Sequence, residues 1–230
     1  MAWTDLAKRC AAEFVGTYIL VVVGPTAVIL LLPSSSAFAL PLVALTFGLT
    51  VALMITLFGE LSGSIINPAI TLAAPVARLL RTNLVIPYIA SQTAGGILAG
   101  LTLKLMFGSL GDATSLGSTK LATGIDPVSG IAIESIGAFI LTFVAFNATT
   151  RVRGPRKQAL IIGGTLTVLI VLIAPLTSAS FNPARSLGPA LASGYLSAIY
   201  VYIIGPSLGA VFAGLLFRRL QAERVPPRIS

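Results

Sequence analysis

The chain has 230 residues, of which 56% are hydrophobic and only 10% charged, and its mean hydropathy is +0.97. Soluble domains carry about 25% charged residues, so these figures exclude an ordinary water-soluble globule and leave room for about six bilayer spans of roughly 20 residues each. With no histidine and Cys10 as its one cysteine, the chain lacks the means for imidazole acid–base catalysis, His/Cys metal sites and an internal disulfide.

In chain order, residues 1–8 read as a short head, with Trp3 placed as an interfacial anchor and Lys8-Arg9 at the membrane edge. No cleavable signal peptide is expected, because the first apolar run is too long and Glu13 and Gly16 suit a retained helix. Span one is predicted over 10–32, a brief loop over 33–36 and span two over 40–58. Residues 59–64 then lead into Asn67-Pro68-Ala69 and an apolar run over 68–77 that stops at Arg78. At ~1.5 Å per residue such a run covers about 16 Å, roughly half of a ~30 Å hydrocarbon core. It is therefore a half-helix. Span three is predicted over 84–107, and the longest loop, rich in Gly, Ser and Thr, over 108–127. Spans four (128–149) and five (159–176) follow. A second short helix over 183–193 opens with Asn182-Pro183-Ala184, and span six over 196–217 precedes a polar, basic tail. In both short helices the Asn is a good N-cap and the Pro fits the first turn, where its missing N–H is not needed.

The two halves repeat. Glu13-Phe-Val-Gly-Thr-Tyr-Ile-Leu20 aligns with Glu134-Ser-Ile-Gly-Ala-Phe-Ile-Leu141, and Tyr88 to Gly100 aligns with Tyr202 to Gly214. Each half, about 8–107 and about 128–218, supplies three spans and one half-helix. The halves are therefore inverted relative to each other within one transmembrane domain covering 1–230, with a tail at 219–230. Broken apolar segments at matching positions of inverted halves point to a site or path at the bilayer midplane. Lys8, Arg9, Arg78, Arg81, Arg151 and Arg218 fall with most other cations on one face, whereas Lys104 and Lys120 fall on the other. The positive-inside rule then puts both termini in the cytoplasm. The net charge of +8 reads as topology and headgroup contact, with no nucleic-acid partner.

Two Asn-Pro-Ala tripeptides, one per half, with Arg185 just after the second, resemble the signature of the major intrinsic proteins, the aquaporins and aquaglyceroporins. The resemblance covers nearly the whole chain. It implies six tilted helices and two re-entrant half-helices around one pore per subunit, a homotetramer in the cell membrane, and no cofactor. Asn67, Pro68, Ala69 and Asn182, Pro183, Ala184 then meet at the bilayer centre, where positive helix ends and Asn amide donors oppose a proton wire. Irregular backbone survives at membrane depth only where it lines protein or water. Gly63, Ser64, Ile65 and Ile66, and Ser178, Ala179 and Ser180, are accordingly expected to present carbonyls along the path.

The resemblance also implies a narrow filter of Phe47, Ile170, Ala179 and Arg185. Water-selective members usually carry His at the Ile170 position, so a wider opening is expected. The set looks closer to nodulin-26-like and some prokaryotic channels, as does Tyr202-Ile203, while Ser186 and Ala190 resemble water-channel positions. Glu13 and Glu134 are expected, by the same resemblance, to brace the loops ahead of the half-helices, with proton relay as the alternative role. Glu60 and Ile65 stand where the family often has His, which excludes gating by histidine at the cytoplasmic mouth. Expected permeants are water and small neutral solutes such as glycerol, undissociated metalloid acids, urea or dissolved gases. A strictly water-selective channel is one alternative. An inverted-repeat secondary transporter is another, and would need coupling-ion ligands at the midplane.

Overall fold

Eight helices order the chain in a computed structural model that describes residues 3–222: α1 (Trp3–Leu31), α2 (Ala39–Ser62), α3 (Pro68–Val76), α4 (Val85–Phe107), α5 (Pro127–Arg151), α6 (Pro155–Thr177), α7 (Pro183–Ser193) and α8 (Val201–Ala222). No strand occurs among the described residues. Six of the helices are long and apolar enough to cross a membrane, and α3 and α7 are too short to do so. The side chain of Trp3 and residues 223–230 of the expected tail lie outside the described set.

Boundaries differ from the sequence reading where a local signal was weak. α1 is already helical at Trp3, the first described residue, rather than starting near Cys10, since residues 4–9 contain no breaker. α8 begins at Val201, not Leu196. Residues 196–200 form turns instead, closed by Val201 N–H on the Ala198 carbonyl at 3.0 Å, with Ala198 itself left-handed at φ 51°. At its far end α8 runs on to Ala222, so the residues from Arg218 to Ala222 are helix and not tail. The expected loop 108–127 holds a 3-10 turn over Gly108–Thr114 and buries Leu116, Ser118 and Thr119. It folds into the structure rather than over it.

The helices pack in twofold-matched pairs. α1 lies on α4 as α5 lies on α8, and α1 on α2 as α5 on α6, while α2 meets α6 across the centre. Each short helix lies against the last long helix of the other half, α3 on α8 and α7 on α4. Glycines permit these approaches. A Cβ on Gly188 would overlap the backbone of Gly96, one on Gly100 the backbone of Gly188, and one on Gly209 the backbone of Ser135. Small residues at such crossings are how membrane helices come close without a hydrophobic driving force. The outer surface carries large apolar side chains in the open, among them Phe38, Leu105 and Val128. Burial is reversed from a soluble fold: Glu13 and Glu134 are 0% exposed.

α5 has a clear start. Asp126 caps it, accepting from the N–H groups of Val128 (2.9 Å) and Ser129 (3.1 Å) and from the Ser129 hydroxyl (2.6 Å). The Ser129 hydroxyl first, and then the backbone donors, hold this exposed carboxyl below the usual aspartate value. The cap's contribution is complete above the ordinary pKa of about 4 and is lost as pH falls through the lower folded value. Asp126→Ala should lower the melting temperature at neutral pH, and the gap from wild type should close on acidification. A gap that persists unchanged at low pH would show that the carboxylate is not its source.

Candidate functional site

The two short helices start in the same way. Asn67 and Asn182 are extended (φ −152° and −147°), and each caps the helix that the following proline opens. Asn67 Oδ1 accepts from Ala69 N at 2.9 Å, and Asn182 Oδ1 accepts from Ala184 N at 3.0 Å and Arg185 N at 3.3 Å. A backbone N–H can only donate, so the amide oxygens must face the helices and the Nδ2 groups must face away. Those Nδ2 groups cross over: Asn67 donates to the Phe181 carbonyl and Asn182 to the Ile66 carbonyl, both at 2.8 Å. The cap of each half is thus tied to the loop of the other. Each NH2 keeps a second hydrogen, and both Asn residues line one cavity of about 290 Å3.

The segments ahead of the caps are built alike. Gly63, Ser64 and Ile66 have positive φ (93°, 46°, 44°), and so do Ser178, Ala179 and Phe181 at the matching positions (65°, 48°, 54°). Left-handed conformations cost non-glycine residues about 1–2 kcal/mol each and persist only where surroundings over-determine them. Two buried carboxyl groups do so here. Glu13 accepts from Ser62 Oγ (2.6 Å), Ile65 N (3.0 Å), Ile66 N (2.7 Å) and Gln92 Nε2 (2.8 Å). Glu134 accepts from Thr177 Oγ1 (2.7 Å), Ser180 N (3.0 Å) and Phe181 N (2.8 Å). In a planar trans peptide the carbonyl points opposite to the N–H. Hence the carbonyls of Ser64 and Ile65 turn away from Glu13, and those of Ala179 and Ser180 turn away from Glu134. All four residues line the 290 Å3 cavity, as do Gly63 and Ile66, though the Ile66 carbonyl already holds the Asn182 amide. Ser64 Oγ is buried with no partner among the described residues. Ser178 lines a second cavity, of about 430 Å3, and its hydroxyl is held by the Lys120 backbone at 3.0 Å on both sides.

Phe47 from α2, Ile170 from α6, Ala179 from the second loop and Arg185 from α7 line both cavities, and these four alone are shared. They form the collar between the two spaces. Arg185 is 4% exposed. Its Nη1 donates to the Gly117 carbonyl at 2.9 Å, and its guanidinium carbon lies 4.9 Å from the centre of the Phe47 ring. Among the described residues it is the one charged side chain lining the first cavity. The second cavity adds Lys120 and no carboxylate. The first cavity runs from the collar past both Asn residues to Leu79, Leu80, Thr149 and Thr150, near the ends of α3 and α5. Glu60 is exposed and lines neither space, whereas Ile65 lines the first. Ser186 is buried behind the second loop, sharing hydrogen bonds with Ser180 (2.6 Å) and Thr119 (3.0 Å).

Residues 2–217 match the sequence model of the family described as Major intrinsic protein. The chain belongs to that family. Among relatives, Aquaporin NIP1-1 of Arabidopsis thaliana is 35% identical over 226 residues, covering 96% of this chain and 76% of the relative. Glycerol uptake facilitator protein-like 6 of Lactiplantibacillus plantarum is 35% identical over 223 residues, covering 94% of this chain and 99% of that one. The X-ray structure of the aquaglyceroporin from Plasmodium falciparum shares the fold, with a TM-score of 0.85 at 18% identity over 95% of this chain and 98% of that chain.

In this member of the major intrinsic proteins, several partners of the site escaped sequence reading. Gln92 joins Glu13 to Thr71 (2.9 Å), Tyr88 O–H donates to the Ser62 carbonyl (2.9 Å), and the carbonyls of Phe181 and Gly117 receive Asn67 and Arg185. One signal was available: Ser62 and Thr177 occupy matching repeat positions, and each hydroxyl donates to the carboxyl of its own half. The halves are not identical. Pro206 stands where Gln92 stands in the first half, so Glu134 lacks the side-chain amide that Glu13 has.

Proposed function

We infer that the protein is a passive channel conducting water and small uncharged solutes of glycerol size, with Phe47, Ile170, Ala179 and Arg185 as its selectivity filter. The observation that carries this reading is the collar: two cavities share only those four side chains, one of which is a buried cation. A guanidinium there repels cations and offers N–H donors to solute oxygens, while Phe47 and Ile170 provide an apolar wall for carbon. At the Asn pair, a passing water accepts from two amide N–H groups with its oxygen, so its own hydrogens point outward and a continuous proton wire is opposed. The positive ends of α3 and α7 act in the same direction. The carbonyls of residues 63–66 and 178–180 serve as acceptors along the file. Glu13 and Glu134 serve as braces, not as proton carriers, because their oxygens are taken up by loop donors. By resemblance and by the distribution of basic residues, we place the chain as a homotetramer in the cell membrane with both termini cytoplasmic.

Ile170 decides how wide the filter is. Stopped-flow light scattering on proteoliposomes should show fast shrinkage in a sucrose step and fast re-swelling in a glycerol step. Ile170→His, which adds a ring and a polar edge, should retain the first response and slow the second by about tenfold, the size of effect a small steric change has in a tight pocket. Fast shrinkage without re-swelling in the wild type would make the protein a strictly water-selective channel. Flux that saturates and follows an ion gradient would instead favour a transporter.

A further inference from the structure

The Phe47 ring borders both cavities, has the Arg185 guanidinium over it at 4.9 Å from its centre, and also lies against α1 at a residue with no side chain. A Cβ placed on Gly24 would fall within the van der Waals shell of three Phe47 ring atoms, Cε1, Cζ and Cδ1, the last at 2.6 Å. The next residue, Pro25, supports the other half of the collar. Gly117, left-handed at φ 71°, lies so close that a Cβ on it would be 2.9 Å from Pro25 Cβ and 3.0 Å from Pro25 Cα. The Gly117 carbonyl is the group that holds Arg185. Two consecutive residues of α1 therefore back Phe47 and the carrier of Arg185. A proline inside a helix removes a backbone hydrogen bond, and a glycine beside it weakens helix propensity further. Local rules broken together, away from any turn, are a mark of a functional constraint.

We propose that Gly24, which lines neither cavity, is a specificity-determining residue: it sets how far the Phe47 ring withdraws from the lumen, with Pro25 fixing the Gly117–Arg185 side, and so decides whether a three-carbon polyol passes with water. The inference rests on the filter reading above. Phe47 has only two side-chain torsions, α1 blocks it from behind, and the ring must yield toward Arg185 and the lumen if a methyl group is added at Gly24. Water is small enough to pass the narrowed collar; a polyol is not.

The test measures glycerol and water permeability in proteoliposomes for wild type, Gly24→Ala, Phe47→Leu and the double variant. Gly24→Ala should lower the glycerol-to-water ratio by about tenfold, as one methyl group does in a tight pocket. Phe47→Leu should raise the ratio. The double variant should match Phe47→Leu within about twofold, because the added methyl then has no ring to push. A Gly24→Ala ratio equal to wild type, while Phe47→Leu raises it, would overturn the role of Gly24 and leave the filter reading standing. A ratio unmoved by Phe47→Leu would overturn the filter reading and this inference with it. If Gly24→Ala yields no folded protein, the double variant carries the test: folding restored by Phe47→Leu supports the seat, and folding still lost refutes it.

Discussion

Arg185→Val is expected to keep water flux and to admit monovalent cations that the wild type is expected to exclude. At the collar a permeating cation comes within ~4 Å of the guanidinium. At an effective dielectric constant near 20 that proximity is worth about 4 kcal/mol of repulsion, close to a thousandfold in rate. Valine removes the charge and the donors together. The positive ends of α3 and α7 and the two Asn amides remain, so cation flux should rise by about two orders of magnitude rather than reach that of open water. The variant also leaves the Gly117 carbonyl without its partner, and stability should fall by about 1–3 kcal/mol. Conductance must therefore be normalised to folded protein. Ion flux across proteoliposomes, read with an entrapped dye beside the osmotic water assay, makes the check. Intact water flux with no cation leak would mean that the barrier lies at the Asn pair alone.

Glu13→Ala should be the most damaging single change to stability, and Glu134→Ala the next. Glu13 receives four donors and Glu134 three. A buried donor left without an acceptor costs about 1–3 kcal/mol, so each variant should lose several kcal/mol, with the larger loss at Glu13. Strain adds to the loss. The left-handed residues at 64, 66, 179 and 181 lose the acceptor for their loop N–H groups, although the crossed amides of Asn182 and Asn67 still hold the Ile66 and Phe181 carbonyls. Melting of purified protein in detergent, followed by size-exclusion chromatography, should rank wild type above Glu134→Ala and Glu134→Ala above Glu13→Ala. Equal losses would show that the Gln92 bond contributes nothing. Full stability in either variant would remove the bracing role.

The long-range plan was legible because it is written in short-range signals. Asn-Pro-Ala announces a capped helix start, ten apolar residues cannot cross a bilayer, and Glu13 and Glu134 recur within aligned octapeptides. Helix ends were less legible where neither a proline nor a cap marks them, as at Val201. The collar is a different matter. Phe47, Ile170, Ala179 and Arg185 were grouped only by their spacing to the motifs and by resemblance, and no local property of Phe47 or Ile170 separates a lumen-facing side chain from a lipid-facing one. The Gly117 carbonyl that holds Arg185 lies 68 residues away along the chain, and the Phe181 carbonyl that holds Asn67 lies 114 away. Every residue has a carbonyl, so nothing in the residue type marks which one will be used. Gly24 was illegible for the same reason. In sequence it is one glycine among 22, and only the ring lying on it tells it apart.

The exchange of short helices between halves bears on how the chain is made. α3 is synthesised early, yet the helix it lies on, α8, leaves the ribosome more than a hundred residues later, and the carbonyl that receives the Asn67 amide comes from residue 181. Until then the first half holds a capped helix with an open flank and an amide without that acceptor. The nascent membrane intermediate is thus unfinished by design, and its first four helices do not close into a pore. A chain cut between α4 and α5 should regain its pore only when both fragments are co-inserted, whereas the amino-terminal fragment alone should remain a substrate for membrane quality-control proteases.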